Sequence, residues 1–142
     1  MKIYADTWIV YIDDEFDICN EIDKQKYGKW LVPFTNKNLI DRICQETVDL
    51  FGIVKEAKYT NNNKGMACFY LECDDIETHK SIISYLLDNN CLPKTRSGRF
   101  KNLAFKLNAQ TYAGEYGENF KSQIHLEQFI DLNNGNFGDD KD

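Results

Sequence analysis

Residues 53–72, IVKEAKYTNNNKGMACFYLE, carry the clearest structural signal in the chain. Residues 53–60 and 66–72 are rich in apolar, aromatic and β-branched side chains, and the run NNNKG separates them at 61–65. Two such runs joined by a short turn that contains Asn and Gly are typical of a β-hairpin. The stretch therefore predicts two adjacent antiparallel strands, around which the rest of the fold is expected to assemble.

Three further runs predict strands on either side of this hairpin. Thr7–Ile12 (TWIVYI) and Gly28–Phe34 (GKWLVPF) precede it, and Lys101–Asn108 follows it. Proline has no backbone N–H to donate to a ladder, so the second strand is expected to stop at Pro33 or to lie at a sheet edge there. The acidic residues 13–26 predict a loop with a helical turn.

Two amphipathic helices are predicted between the strands. The first spans Asn36–Phe51, with its first residue as the N-cap and Gly52 as the stop. The second begins at a capping residue, Asp74 or Asp75, and continues to about Asn89. The residues expected on the two buried faces are Leu39, Ile40, Ile43, Thr47, Leu50 and Phe51 in the first helix, and Ile76, Ile82, Ile83, Leu86 and Leu87 in the second.

A single domain is predicted over residues 1–132. A short helix at Ile124–Leu132 is expected to complete it, and residues 133–142, which are mostly Asn, Gly and Asp, are expected to form a flexible acidic tail. Strands that follow one another through short turns favour an antiparallel sheet, and the long helices are expected to pack on one face of it. The predicted fold class is therefore α+β.

Composition limits the classes of partner. The chain has 142 residues and a net charge of −6, so no general binding of nucleic acid is expected. No apolar run is long enough to cross a membrane, and no membrane partner is expected. Five cysteines without a CxxC pair are typical of free thiols in a reducing cytoplasm, and we expect no metal and no cofactor. The abundance of Asn, Ile, Lys and Tyr is typical of an AT-rich genome, bacterial or viral.

Three lysines, Lys29, Lys58 and Lys106, lie inside predicted strands, and each has an aromatic neighbour in the sequence. A lysine in the middle of a strand is unusual unless it points to solvent or into a polar pocket. Because lysine ammonium groups bind phosphate as point charges, the three are candidates for one site that binds an anionic, planar ligand. The alternative is that each extends its charged end from the open face of a half-covered sheet.

Side-chain alternation along a strand separates the aromatic residues into two groups. Trp30 and Phe105 are direct neighbours of Lys29 and Lys106, so they point to the opposite face and are expected in the core. Trp8 has no such constraint and is a candidate for stacking on a base. Further stacking candidates are Tyr4, Tyr59, Tyr112 and Tyr116.

The loop at 92–100 and the two histidines complete the candidate set. The loop and the residue that follows it hold a concentrated basic patch of Lys94, Arg96, Arg99 and Lys101, so Arg99 is a candidate phosphate ligand, although a solvated loop has the same composition. His79 is expected on the polar side of the second helix, and neither it nor His125 stands in a catalytic motif.

The order of these motifs resembles the basophilic-leukaemia-expressed protein family over about residues 28–117. The shared features are GKW at 28–30, an amphipathic helix, AK at 57–58, the hairpin, a second helix, and then a lysine strand followed by Thr111, Gly114 and Tyr116. The family's tyrosine–lysine–threonine–aspartate motif stands here as Phe105-Lys106-Leu107-Asn108.

The resemblance implies a curved antiparallel sheet backed by helices, similar to the cap-binding translation initiation factors. It also implies a concave sheet face that holds a nucleotide-like or phosphorylated ligand, and the family carries the label of a phosphothreonine lyase. The residues assigned to the ligand site are Lys29, Lys58, Lys106, Asn108, Thr111, Tyr116, Arg99 and Trp8. Asn108 in place of the aspartate weakens the expectation of acid–base chemistry.

Three functions remain open. The first is a module that binds a nucleotide or a phosphorylated small molecule or peptide. The second is a phosphate-eliminating lyase with Lys106 or Lys58 as its base, for which the sequence supplies no convincing acid–base pair. The third is a small acidic inhibitor, virus-encoded on this view, that acts by contact with a protein partner. Catalytic residues are not assigned.

Overall fold

A computed structural model describes residues 1–138, which form one seven-stranded sheet and a small number of helices. The strands are β1 Lys2–Ala5, β2 Trp8–Ile12, β3 Tyr27–Phe34, β4 Glu56–Thr60, β5 Gly65–Glu72, β6 Ala104–Leu107 and β7 Ile124–His125. The helices are α1 Lys37–Gln45, α2 Ile76–Asp88 and α3 Asn108–Tyr112, with a π-helical turn at Glu46–Leu50 and 3-10 turns at Gly117–Asn119 and Leu126–Gln128. No helix in this part of the chain is long and apolar enough to cross a membrane.

The sheet has the order β1-β2-β4-β5-β3-β6-β7, and every neighbouring pair is antiparallel. The hairpin predicted from residues 53–72 is β4 and β5, although β4 begins only at Glu56. These two strands and β3 form the centre of the sheet. The predicted α+β class and the antiparallel sheet are confirmed.

Helices α1 and α2 cover one face of the sheet. Ile40 and Ile43 from α1 and Ile82 and Ile83 from α2 pack in one apolar core with inward-facing residues of the sheet such as Phe69. All five side chains are at most 2% exposed. Burial of this continuous apolar surface is the main stabilising contribution of the helices.

The predicted caps of both helices are confirmed. The Asn36 side chain accepts a hydrogen bond from the backbone N–H of Leu39 at 3.1 Å. The Asp75 side chain accepts one from the N–H of Thr78 at 3.2 Å. Each bond satisfies a backbone donor that has no partner within its helix. Gly52 follows the first helical segment with φ of +61°, as its role as a stop requires.

The end of the first helix differs from the prediction. Regular α-helix stops at Gln45, and Phe51 N–H donates to the carbonyl oxygen of Glu46 in a π-helical i→i+5 bond. The wider turn rotates the last side chains away from the expected face. Leu50 and Phe51, predicted in the core, are 65% and 58% exposed. In α2 the predicted core residue Ile76 is exposed as well, because it occupies the first turn.

The prediction that His79 lies on the polar side of α2 is wrong, since the side chain is fully buried. The Trp30 indole N–H donates to its Nδ1 at 2.9 Å, and the Cys73 carbonyl oxygen lies 2.9 Å from its Nε2. Because an indole N–H can only donate, Nδ1 must be the acceptor and Nε2 carries the proton. Phe105 and Phe129 pack around the imidazole ring.

Pro33 lies in an interior strand, one residue before the end of β3, and it is paired with Met66 of β5. On the other side of β3, strand β6 pairs only with Gly28, Lys29 and Trp30. The half of β3 that contains Pro33 therefore has a free side locally, which reconciles its missing N–H with a central strand.

One element near the N-terminus and two in the C-terminal part of the chain differ from expectation. Strand β1 and helix α3 were not predicted. The predicted helix at Ile124–Leu132 is wrong: its first two residues pair with β6 as β7, and a 3-10 turn follows. Residues 133–138, assigned to the tail, are tied to the domain by the bridge between Ile130 and Phe137 and by the bond from Arg99 to Asn133. The rest of the predicted tail, 139–142, lies outside the described residues.

Candidate anion-binding site

The three strand lysines lie on the sheet face opposite to α1 and α2. In the register, Lys29 on β3 is directly opposite Tyr70 on β5 and Lys106 on β6. Lys58 on β4 is opposite Cys68, which is two residues from Tyr70 and so points the same way. We call Lys29, Lys58 and Lys106 the lysine cluster. Their shared face, expected from the sequence, follows from this register.

Alternation places Trp30 and Phe105 as expected, on the face opposite the lysines. Trp30 and Phe105 are both 2% exposed and pack against each other in the helix-covered core, opposite the lysines. Tyr59, predicted as a stacking candidate, lies in the core instead, where its hydroxyl donates to Asp41 at 2.6 Å. Tyr4 and Tyr112 are exposed at 71% and 84%.

Two members of the cluster are buried: Lys29 is 9% exposed and Lys106 is 6% exposed. The Lys29 ammonium donates to Asn108 Oδ1 at 3.1 Å and to Thr111 Oγ1 at 3.3 Å, both on α3. These acceptors are neutral. Burial of an ammonium group without a compensating negative charge is costly, so the arrangement is unusual for a residue with only a structural role.

Aromatic rings surround the charged ends. The Lys106 ammonium lies 3.9 Å from the centre of the Tyr116 ring and 5.2 Å from that of Phe120. The Lys58 ammonium lies 4.0 Å from the Trp8 ring. The electron-rich faces of these rings attract a cation, but more weakly than an anion would.

The Tyr70 ring lies between the Lys29 and Lys58 ammonium groups. Its ring centre is 5.5 Å from the Lys29 ammonium and 5.9 Å from that of Lys58. It stacks on Tyr27 at 5.5 Å with an interplanar angle of 22°. Phe16 and Ile22, from the loop between β2 and β3, pack against this pair and bound the site on one side.

No carboxylate forms an ion pair with the cluster anywhere in residues 1–138; the ion pairs of this region join other groups. Glu56 and Glu72 are acidic residues on the same face by register, and the Glu56 carboxylate accepts a hydrogen bond from the Tyr27 hydroxyl at 2.9 Å. Burial raises the pKa of Glu56, while the Tyr27 bond and the charges of Lys58 and Lys29 act in the opposite direction.

The environment also shifts the lysines. Burial is the main cause that lowers the pKa of Lys29. The charge of Cys68 opposes it, repulsion from Lys58 and then Lys106 lowers the pKa further, and Glu56 has the smallest, opposite effect. Burial lowers the pKa of Lys106, opposed by the charge of Glu115 and by Cys68. The site is therefore a concentration of positive charge that its own surroundings destabilise.

Of the eight residues assigned to the site from sequence, seven lie together: Lys29, Lys58, Lys106, Asn108, Thr111, Tyr116 and Trp8. Arg99 is the exception. Its Nε donates to Asn133 Oδ1 at 2.9 Å, and the next residue, Phe100, packs beside Leu87 of α2 on the helix-covered side. The structure does not bring Arg99 to the other seven residues, because the loop that carries it folds toward α2.

Sequence reasoning missed Tyr70, Phe120 and Glu56. Strand β5 is apolar on both faces, so its periodicity gives no sign that Tyr70 points to the lysines. Phe120 lies in a segment without regular structure. Glu56 had a usable signal, since it is two residues before Lys58 and alternation places it on the same face.

No known protein family matches the chain, and no curated protein matches it. Within residues 1–138, no group of three or more His, Cys, Asp or Glu side chains is placed to hold a metal ion.

Proposed function

We propose that this protein is a binding module for a nucleotide-like or otherwise phosphorylated ligand, held at the lysine cluster. One observation carries the proposal: two buried lysines and a half-buried third share a sheet face without a carboxylate partner in the described chain. Membership of the basophilic-leukaemia-expressed protein family, and the cap-binding-like form of the fold, belong to the same proposal.

A phosphate group matches the charge and the chemistry of the cluster. Ammonium groups form short, strong hydrogen bonds to phosphate oxygens, and the partly desolvated setting strengthens them. The negative charge would also remove the mutual repulsion that lowers the pKa of Lys29. Because the whole chain carries a net charge of −6, this attraction is local and does not extend to nucleic acid in general.

The rings beside the lysines favour a ligand with a planar part. Trp8, next to the Lys58 ammonium, is partly exposed and available for stacking. Stacking of a base on an aromatic ring contributes about 1–3 kcal/mol. A nucleotide combines such a base with phosphate, and a short phosphorylated peptide with an aromatic residue combines an aromatic ring with phosphate.

A thermal-shift screen tests the proposal with mono- and dinucleotides, cap analogues, cyclic nucleotides and phosphopeptides. A ligand that binds only the folded chain raises its melting temperature. The shift should be lost in Lys58→Ala/Lys106→Ala and kept in Lys64→Ala/Lys80→Ala, which removes the same charge away from the cluster. An equal shift in both variants would contradict the proposed site. No shift with any compound would favour a protein partner instead.

A second candidate, elimination of phosphate from a phosphothreonine peptide, is favoured by the lowered pKa of Lys29 and Lys106. A lowered pKa increases the fraction of neutral amine that can accept a proton. In this reaction the amine takes the Cα proton, the Cβ–O bond breaks, a double bond forms and inorganic phosphate leaves. Phosphate release that depends on Lys29 and Lys106 would establish the enzyme, and binding without release would leave the module.

A further inference from the structure

One segment provides the close contacts of the two buried lysines. We call residues 108–121, which follow β6, the strap. Asn108 and Thr111 accept hydrogen bonds from the Lys29 ammonium, and Tyr116 and Phe120 lie over the Lys106 ammonium. The strap therefore offers the cluster oxygen acceptors and aromatic faces, which are the groups that a phosphorylated planar ligand would offer.

The strap is anchored at its two ends and weakly held between them. At the start, the Leu107 N–H donates to Gln110 Oε1 at 3.0 Å; just past the end, the Ser122 hydroxyl donates to the Phe105 carbonyl oxygen at 2.8 Å. Between these anchors no residue of the strap is fully buried. Gly114 and Gly117 have φ of +78° and +54°, conformations that glycine adopts without strain.

The acidic residue Glu115 of the strap lies near the lysine cluster without pairing with it. Gln110 Nε2 donates to Glu115 Oε1 at 3.2 Å, which fixes the position of this carboxylate. Glu115 is near enough to raise the pKa of Lys106 against the effect of burial. It is not within ion-pair distance, so it moderates the positive charge without neutralising it.

We propose that the strap occupies the anion site of the ligand-free protein and that a phosphorylated ligand displaces it, so that the strap is an autoinhibitory element. This inference rests on the proposed function. Amide and hydroxyl oxygens carry partial charges, whereas phosphate oxygens carry full ones and form stronger bonds to ammonium groups. The ligand thus exchanges the bonds of Lys29 to Asn108 and Thr111 for better ones.

Competition between the strap and a ligand predicts the direction in which ligand affinity changes when the strap is weakened. The observed affinity of a ligand is reduced by the fraction of protein in which the strap is closed. Asn108→Ala/Thr111→Val removes both acceptors of Lys29 and nearly preserves the shape of Thr111. If the strap competes, ATP and tripolyphosphate should bind this variant about tenfold more tightly than the wild type, which corresponds to one charged hydrogen bond.

Calorimetric titration of the full chain with ATP and tripolyphosphate provides the test. Glu118→Gln/Asn119→Ala, which alters the strap without touching the lysines, should keep the wild-type affinity. Weaker or unchanged binding by Asn108→Ala/Thr111→Val, with binding that still depends on Lys29, would contradict displacement of the strap. The proposed function would then still stand. Absence of binding by every variant would overturn both.

Proteolysis of the wild type gives an answer that does not depend on how a variant folds. Chymotrypsin cleaves after Tyr112, Tyr116 and Phe120, all within the strap. Saturating ATP should accelerate cleavage there, because a displaced strap is more accessible than a docked one. Protection of these sites, or no change in their cleavage rate while ATP is bound, would contradict displacement.

Discussion

Lys29 illustrates how a single residue can be retained at a cost in stability. Its ammonium is 9% exposed, bonded to two neutral oxygens and repelled by two other lysines. A buried charge with such partners is less favourable than an apolar side chain of similar length. The stability of the fold alone does not account for a lysine at this position.

Lys29→Met should raise the free energy of unfolding by about 1 kcal/mol, since it removes a buried charge and keeps the packing volume. Urea denaturation in a buffer without phosphate measures the change. Lys64→Met, in the exposed turn of the hairpin, is the control and should change stability by less than about 0.5 kcal/mol. A loss of more than 1 kcal/mol in Lys29→Met would mean that the bonds to α3 are structural.

His79 predicts a dependence of stability on pH. Burial lowers its pKa in the folded protein, and its Nδ1 is already occupied by the Trp30 N–H. Above the unfolded-state pKa of about 6.5 the ring is neutral in both states and contributes no pH dependence. Below that pH the unfolded chain binds a proton that the folded chain does not, so stability falls as the pH decreases.

His79→Gln isolates this effect, because glutamine keeps one donor and one acceptor but does not titrate. Wild-type stability should fall more steeply than that of the variant below pH 6.5, with a difference in slope of up to about 1.4 kcal/mol per pH unit. Urea denaturation at pH 7.5, 6.0 and 5.0 measures both slopes. Carboxylates contribute equally to the two proteins and cancel. Parallel slopes would show that the imidazole does not titrate between the two states.

At the scale of the elements, the pairing of β3 with β6 sets the distance between two lysines. Gly28 is opposite Leu107 in this ladder, next to the Lys29–Lys106 pair. A Cβ at residue 28 would lie 2.6 Å from the Lys106 carbonyl oxygen and 2.6 Å from the Phe105 ring. Only glycine lets the two strands and this ring approach so closely.

Gly28→Ala should destabilise the fold by about 1–3 kcal/mol through overpacking. It should also weaken ligand binding, because the shift of β6 moves Lys106 relative to Lys29. Thermal unfolding and titration with tripolyphosphate measure the two effects. Gly98→Ala, at a position with open space and φ of +87°, should affect stability alone. Unchanged stability of Gly28→Ala would show that the β3–β6 ladder accommodates a methyl group at residue 28.

The elements with strong local signals were predictable, and those set by tertiary contacts were not. The Asn- and Gly-containing turn between β4 and β5 and the capped helices carry their own information. Helix α3 has five residues, too few for a helical period, and residues 124–125 form a strand because β6 offers a pairing edge. The inward position of His79 did have a signal: it precedes Ile82, Ile83 and Leu86 at helical spacing.

Across the whole molecule, α1 and α2 cover one sheet face, and the lysine cluster lies on the other face together with the short helix α3. Alternation along the strands was enough to predict that Trp30 and Phe105 point away from Lys29 and Lys106, but not that lysines on three different strands share one face. The burial of Lys29 and Lys106 was not predictable, because it depends on the path of the strap after β6. An acidic protein thus holds a local concentration of positive charge that its sequence composition conceals.

Titration calorimetry of tripolyphosphate against the wild type, Lys29→Met/Lys106→Met and Lys64→Met/Lys80→Met tests the central claim, that the cluster binds a phosphorylated anion. The wild type and Lys64→Met/Lys80→Met, whose two lysines lie outside the cluster, should bind alike, and more weakly as salt is added. The cluster variant should lose at least about thirtyfold in affinity, since charged hydrogen bonds contribute about 1.5–3 kcal/mol each. Equal affinity in all three proteins would contradict the account.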